Sequence, residues 1–243
     1  MRHSRRIAAL CCAVLLLVTG CDALPIVGGR TAGCEPGSAD LRAGTSALGD
    51  GGPVMVATPD PQATELACHV LADGGSAADA VVVAQLVLGL TEPQSSGPGG
   101  SAVAVYYDAD SGEIQTFAAV AHAPDGETRA PYGTDLGSVG VPQTARLLAA
   151  LHAGHGRTPI AELLAPVREL ATGGFETSRR LAGAIERRLP IFAAAPPWPE
   201  IADGHAPEPG DRLTNPDYAA YLARLAGGDR LVDIGRTAVR SLR

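Results

Sequence analysis

The residues of this sequence that could do chemistry fall in a few places, and each admits a catalytic and a structural reading. Ser95 and Ser96 lie in the run Glu92-Pro93-Gln94-Ser95-Ser96-Gly97-Pro98-Gly99-Gly100. A serine hydroxyl there could act as a nucleophile if a base stood beside it. No Gly-x-Ser-x-Gly elbow surrounds them, so the pattern favours turn residues making backbone hydrogen bonds. The glycines that follow could cradle a phosphate, but a P-loop requires a lysine and the chain has none. His152 and His155 stand three apart at the end of a helical stretch and could share a metal. No third ligand follows them in sequence, which favours surface histidines. Asp108 and Asp110 belong to Asp108-Ala109-Asp110-Ser111-Gly112, a hairpin turn and not a calcium loop.

The elements that must position these residues are densest between Met55 and Tyr107. Asp60 before Pro61 is a good N-cap followed by the residue best tolerated at the first helical position. Ala63, Leu66, Ala67, Val70 and Leu71 then share one helical face. Gly74-Gly75 stop that helix. Ser76 caps a second, with Asp79 close to its free N–H groups. From Ala77 to Leu90 the run is almost wholly apolar, so this helix is expected to be buried nearly all round. The Glu92–Gly100 stretch forces a tight loop, and Ser101 to Tyr107 reads as a strand. A return strand spans Glu113 to Val120. Ala121 to Gly140 is loop. Helices are expected from Pro142 to His152, Ile160 to Thr172 with Pro166 kinking it, Ser178 to Leu189, Asp217 to Leu225 and Leu231 to Leu242. Pro196 to Pro209 is expected to be extended.

These pieces resemble the opening of the large subunit of gamma-glutamyltransferases (glutathione hydrolases). The resemblance rests on Met55–Ala57, Ala63–Glu65, Gly74–Ala80 and above all Glu92–Gly100. Gly140-Val141-Pro142, Gly173-Gly174-Phe175, Pro209–Leu213 and Asn215-Pro216-Asp217 match later landmarks. The resemblance covers roughly residues 54 to 240. It implies an α/β fold, the large-subunit portion of an N-terminal-nucleophile hydrolase (αββα). Its helical layer would cover a sheet whose remaining strands lie outside this chain.

The chain has 243 residues, with 19 basic and 26 acidic and a net charge of −7. That balance argues against a nucleic-acid surface. Residues 1–20 read as a signal peptide, with Arg2, Arg5 and Arg6 before a short apolar run from Ile7 to Val18. Leu17-Val18-Thr19-Gly20-Cys21 resembles the lipobox of bacterial lipoproteins, which implies acylation of Cys21 and a lipid anchor on the outer side of a bacterial membrane. The other reading is an ordinary cleaved signal. Removal of the three arginines leaves 16 basic against 26 acidic residues, a net charge of −10. Residues 21–53 read as a flexible tether, and 54–243 as the gamma-glutamyltransferase-like domain. Cys34 and Cys68 could pair in an oxidising compartment, although a buried thiol at Cys68 is the expectation.

In the family resembled, a threonine exposed by self-cleavage attacks the gamma-glutamyl amide of glutathione, its own amine serving as base. That threonine belongs to the small subunit. No Thr-Thr-His or comparable junction occurs here, so the resemblance leaves this chain without its nucleophile and implies a small-subunit chain as partner. No cofactor is implied. The family's large subunit pairs an arginine with the substrate's alpha-carboxylate, within Asp-Phe-Arg-Glu-x-Ala-Pro. Alignment on Ala123-Pro124 puts Val120 at that place; a shifted register through Glu127–Pro131 offers Arg129 as the substrate-binding residue. Two functions follow. One is an envelope-anchored gamma-glutamyl hydrolase or transferase, active when a small-subunit portion supplies the threonine. The other is a degenerate, non-catalytic lipoprotein used for binding or as a scaffold.

Overall fold

Two caps and a Gly-Gly step generate the helical pair at the centre of the fold. The computed structural model describes residues 35–36, 43–48, 52–122, 140–192, 198–201 and 204–227. Cys21, Cys34, Arg129 and the helix expected at Leu231–Leu242 lie outside the described residues. Asp60 accepts a hydrogen bond from Ala63 N–H at 3.0 Å and starts α1, Pro61–Ala72. Gly74, at φ +90°, supplies the left-handed step that ends it. Ser76 and Asp79 then form a reciprocal capping box. Asp79 N–H donates to Ser76 Oγ at 3.1 Å, and Ser76 N–H donates to Asp79 Oδ2 at 2.9 Å. This box opens α2, Ala77–Thr91.

As its composition requires, α2 is buried along almost its whole circumference, with Val82, Val83, Val87 and Leu90 all at 1% exposure or less. It packs against α1, against α3 (Thr144–His155) and against α4 (Ile160–Gly173). Helix α5 spans Arg179–Phe192 and α6 spans Pro216–Ala226, with a 3₁₀ turn at Pro199–Ile201 between them. The apolar sides of these helices close one core around Leu164, Phe175, Leu181, Ile185 and Leu222.

Among the described residues the strands pair as three separate antiparallel units. In the first, β1 (Glu35–Pro36), β2 (Ala43–Leu48) and β3 (Gly52–Ala57) pair in that order. Val54 and Val56 lie on Ala67, Leu71, Ala80 and Ala84 of the first two helices. The second is a hairpin of β4, Ala102–Tyr107, and β5, Ile114–Ala119, in register from Ala102↔Ala119 to Tyr107↔Ile114. Asp108 Oδ1 accepts from the N–H groups of Asp110 and Ser111, as expected of a turn residue. The third pairs β6, Phe175–Glu176, with β7, Arg212–Leu213.

Several sequence expectations shift. Strands β1, β2 and the start of β3 fall in the 21–53 stretch read as a tether. Residues as small as Gly44, Ser46 and Ala47 leave no hydrophobic alternation to read, although their backbone pairs regularly. Helix α3 begins at Thr144, not Pro142, because Gln143 N–H and Thr144 N–H both donate to Gly100 O and hold that segment in a loop. Helix α4 runs through Pro166 as one element. Cys68 is fully buried but is not a thiol; it is disulfide-bonded. The spacing of α1 showed that Cys68 would be buried, but it carried no sign of what would lie opposite. Among the described residues no helix is long and apolar enough to cross a membrane.

Candidate functional site

Pro93 and the stretch Ser95–Gly100 form one wall of a groove of about 620 Å³. The groove is also lined by Gln85 of α2, by Ser101 and Val103 where β4 begins, and by Tyr218 of α6. Its shape depends on Gly89. A Cβ built there would lie 2.6 Å from Tyr218 Oη and 3.3 Å from Gly97 Cα, so only glycine lets loop, α2 and α6 meet this closely. Tyr218 Oη donates to Leu86 O at 2.8 Å, and burial pushes its phenol pKa well above the usual range.

Glu92 fastens the loop from beneath. It is fully buried. Its carboxylate accepts from Ser178 Oγ at 2.7 Å, from Arg180 Nη2 at 2.8 Å and from Gln94 Nε2. Ser178 also caps α5 through Leu181 N–H, so one glutamate ties the loop to the start of that helix. The Glu92 carbonyl accepts from the N–H groups of Ser95 and Ser96, each at 3.0 Å. At the loop's far end Gly100 O receives the first N–H groups of the α3 segment, and Ser101 Oγ receives Ala121 N–H at 2.8 Å.

Two further buried carboxylates brace this frame. Asp60 is pushed above the ordinary carboxylate range by burial, against the hydrogen bond from Ala63 N–H. For Asp79 burial acts in the same upward direction. Hydrogen bonds from the N–H groups of Ser76, Arg157 and Thr158 outweigh it and hold the carboxyl below the usual range. Asp79 thereby joins the N-terminus of α2 to the connection between α3 and α4.

The candidate residues of the sequence distribute as follows. Ser95 and Ser96 are turn residues: Ser95 Oγ donates to Glu92 O at 3.3 Å, and Ser96 Oγ accepts from Gln85 Nε2. Among the described residues no base bonds either hydroxyl. The two histidines of α3 are part-buried, not surface side chains, and they point to different places. His152 Nε2 lies 2.8 Å from Thr158 O and 3.6 Å from Asp79. His155 stacks on Tyr106 with ring centroids 3.9 Å apart and bonds Gln115 Oε1. Among the described residues no group of histidine, cysteine and carboxylate side chains is arranged to hold a metal. Val120 is 65% exposed at the end of β5, one residue before the Ala121 that bonds Ser101. Sequence reading gave no role to Glu92, Gly89 or Tyr218. Glu92 stood in a recognised motif, whereas Tyr218 lies 132 residues from the carbonyl it serves and carried no signal.

What this arrangement can do is hold a shape. Among the described residues the groove's lining carries no charged side chain; it offers hydroxyls, one amide and a rim of glycine backbone. A family model described as Gamma-glutamyltranspeptidase matches residues 63–231. The chain belongs to that family. Over 173 residues it is 34% identical to glutathione hydrolase 7 of Mus musculus, covering 69% of this chain and 26% of the mouse protein. Over 193 residues it is 32% identical to the glutathione hydrolase proenzyme of Bacillus subtilis, covering 72% of this chain and 32% of that protein. It superposes on the Bacillus anthracis transpeptidase CapD with a TM-score of 0.60 at 26% identity, over 71% of this chain and 57% of CapD. The chain thus spans between a quarter and a third of the length of these two curated relatives. Its mixed helix-and-strand architecture is part of the α/β N-terminal-nucleophile hydrolase fold expected from the sequence.

Proposed function

We propose that this gamma-glutamyltranspeptidase-family chain is the substrate-side portion of a gamma-glutamyl hydrolase or transferase. Glutathione or a similar gamma-glutamyl compound is its donor, and a small-subunit portion supplies the threonine nucleophile. One observation carries the reading. The outward face of the β4–β5 hairpin, next to the groove, presents Val103, Val105, Tyr107, Ile114 and Val120, each between 62% and 70% exposed. The opposite face, with Ala104 and Phe117, is packed on the core. An apolar strand face of this kind is a surface for another layer of protein. The relatives' greater length supports a further portion of the fold as that layer. The Cys21 context supports an envelope-anchored location outside the cytoplasm.

Co-expression of the full chain with a small-subunit polypeptide of the family, assayed with a gamma-glutamyl chromogenic amide, tests this. The co-purified complex is expected to release chromophore and the chain by itself none. Turnover by the chain alone would overturn the need for a partner. In that complex Arg129→Ala is expected to raise KM; an unchanged KM removes Arg129 from substrate binding.

A second reading is a non-catalytic lipoprotein that binds or scaffolds. Val120 favours it, since an aliphatic side chain aligned with the family's arginine cannot pair with a carboxylate. A complex that assembles and shows no turnover would select this reading.

A further inference from the structure

We infer, resting on the reading that a small-subunit portion completes this fold, that an uncharged backbone segment of that portion lies in the groove and crosses the loop at Gly99. Gly89 is glycine because its own fold leaves no room for a Cβ. Gly99 is different. Its φ is not positive, and a Cβ built there would meet nothing within 4 Å. Alanine would fit this chain and would leave the unfolded chain less freedom than glycine does. Nothing among the described residues therefore calls for glycine at this place. The remaining use of a bare Cα is close approach by another backbone. Neither the N–H nor the carbonyl of Gly99 bonds anything among the described residues, so both are open to such a backbone.

The next residue carries a second, independent sign. Thr144 is 2% exposed, and its Oγ1 has no hydrogen-bond partner among the described residues. That oxygen lies 3.9 Å from where a Cβ on Gly100 would sit, and Gly97 O lies equally far from the same point. A buried hydroxyl left unpaired is costly. A polar atom brought in over Gly100 stands beside both the hydroxyl and the carbonyl. The rest of the lining matches a neutral occupant. Ser95, Ser96 and Ser101 offer hydroxyls and Gln85 an amide, and a charged side chain would find no counter-charge among the described residues. Val103 favours a chain over a small ligand. It lines the groove and also belongs to the exposed apolar face of β4–β5, so a layer that covers the face continues into the groove.

Gly99→Ala and Gly99→Val in the full chain, each co-expressed with the small-subunit polypeptide, test this. The Tm of the Gly99→Ala chain by itself is expected to be unchanged or higher, since the added methyl enters open space. Association with the polypeptide is expected to weaken on the order of tenfold or more for Gly99→Val, as an overpacked contact does, and less for Gly99→Ala. In wild type, hydrogen exchange over Ser95–Ser101 is expected to slow on assembly, and unchanged exchange there would overturn the assignment. Val105→Asp, on the hairpin face, is the companion variant. If Gly99→Val associates as wild type does while Val105→Asp weakens association, the groove assignment falls and the small-subunit reading stands. If wild type shows no association, both fall. A lowered Tm of the Gly99→Ala chain by itself would also overturn the assignment, because the glycine would then serve its own fold.

Discussion

Asp79→Asn is the sharpest test of how this fold is held together. The side chain keeps its size, so what changes is charge and acceptor capacity. In the structure the fully buried carboxylate accepts three backbone N–H groups, from Ser76 at 2.9 Å, Arg157 at 3.0 Å and Thr158 at 3.2 Å. All three reach Oδ2, so an asparagine with its oxygen there keeps them, while its NH₂ takes the place of Oδ1, which accepts only a second leg from Arg157 N–H at 3.3 Å. The three bonds lose their charge assistance, each falling from about 1.5–3 kcal/mol toward the ~0.5–1.5 kcal/mol of a neutral pair. The expected total is about 2–4 kcal/mol at neutral pH, a fall in Tm on the order of 10 °C for a chain of this size. The pH dependence follows from the depressed Asp79 pKa. The stability it contributes is present above the unfolded value of 3.8 and is lost as pH falls through the lower folded value. The difference between wild type and Asp79→Asn is therefore full at pH 7 and 5 and narrows below 3.8. Urea unfolding of both proteins across that range is the assay. A neutral-pH cost below about 1 kcal/mol, or a difference that holds unchanged below pH 3.8, would refute the account of Asp79 as a charged acceptor.

Other outcomes follow from the same geometry. Gly89→Ala is expected to cost about 1–3 kcal/mol, because its Cβ meets Tyr218 Oη at 2.6 Å. In urea unfolding, the pair Gly89→Ala/Tyr218→Phe should lose less stability than the two single variants summed, since removing the hydroxyl opens the space. Arg180→Ala is expected to cost about 2–3 kcal/mol although Arg180 is 55% exposed, because it strips a buried carboxylate of its ion pair. A loss below about 0.5 kcal/mol would place the pair among ordinary surface salt bridges. Metabolic labelling with a palmitate analogue is expected to tag the wild type and not Cys21→Ala; equal labelling of both rules out acylation at Cys21.

Much of the helical frame was legible because its signals are local. Asp60 before Pro61 and the Ser76–Asp79 pair each act within three residues of a helix start, and each caps in the structure as the sequence implies. The hairpin itself was legible for the same reason, with two strand-like runs and a short turn between them; its register came from the structure. The histidines show where local reading stops. His152 and His155 share a helix end and a spacing, yet one turns to Asp79 and the other to Tyr106.

The sequence alone determined the order of the described helices and the β4–β5 hairpin, the burial of α2 and the family, because capping, helical periodicity and a glycine-rich motif are written in contiguous residues. Only the tertiary structure decided what the motif's residues hold. Glu92 reaches Ser178 across 86 positions, Asp79 reaches Arg157 across 78, and Tyr218 reaches Leu86 across 132. Such partners are chosen by the packing of whole helices. A hydrogen bond between residues so far apart leaves no periodicity or spacing in the chain from which it could be read.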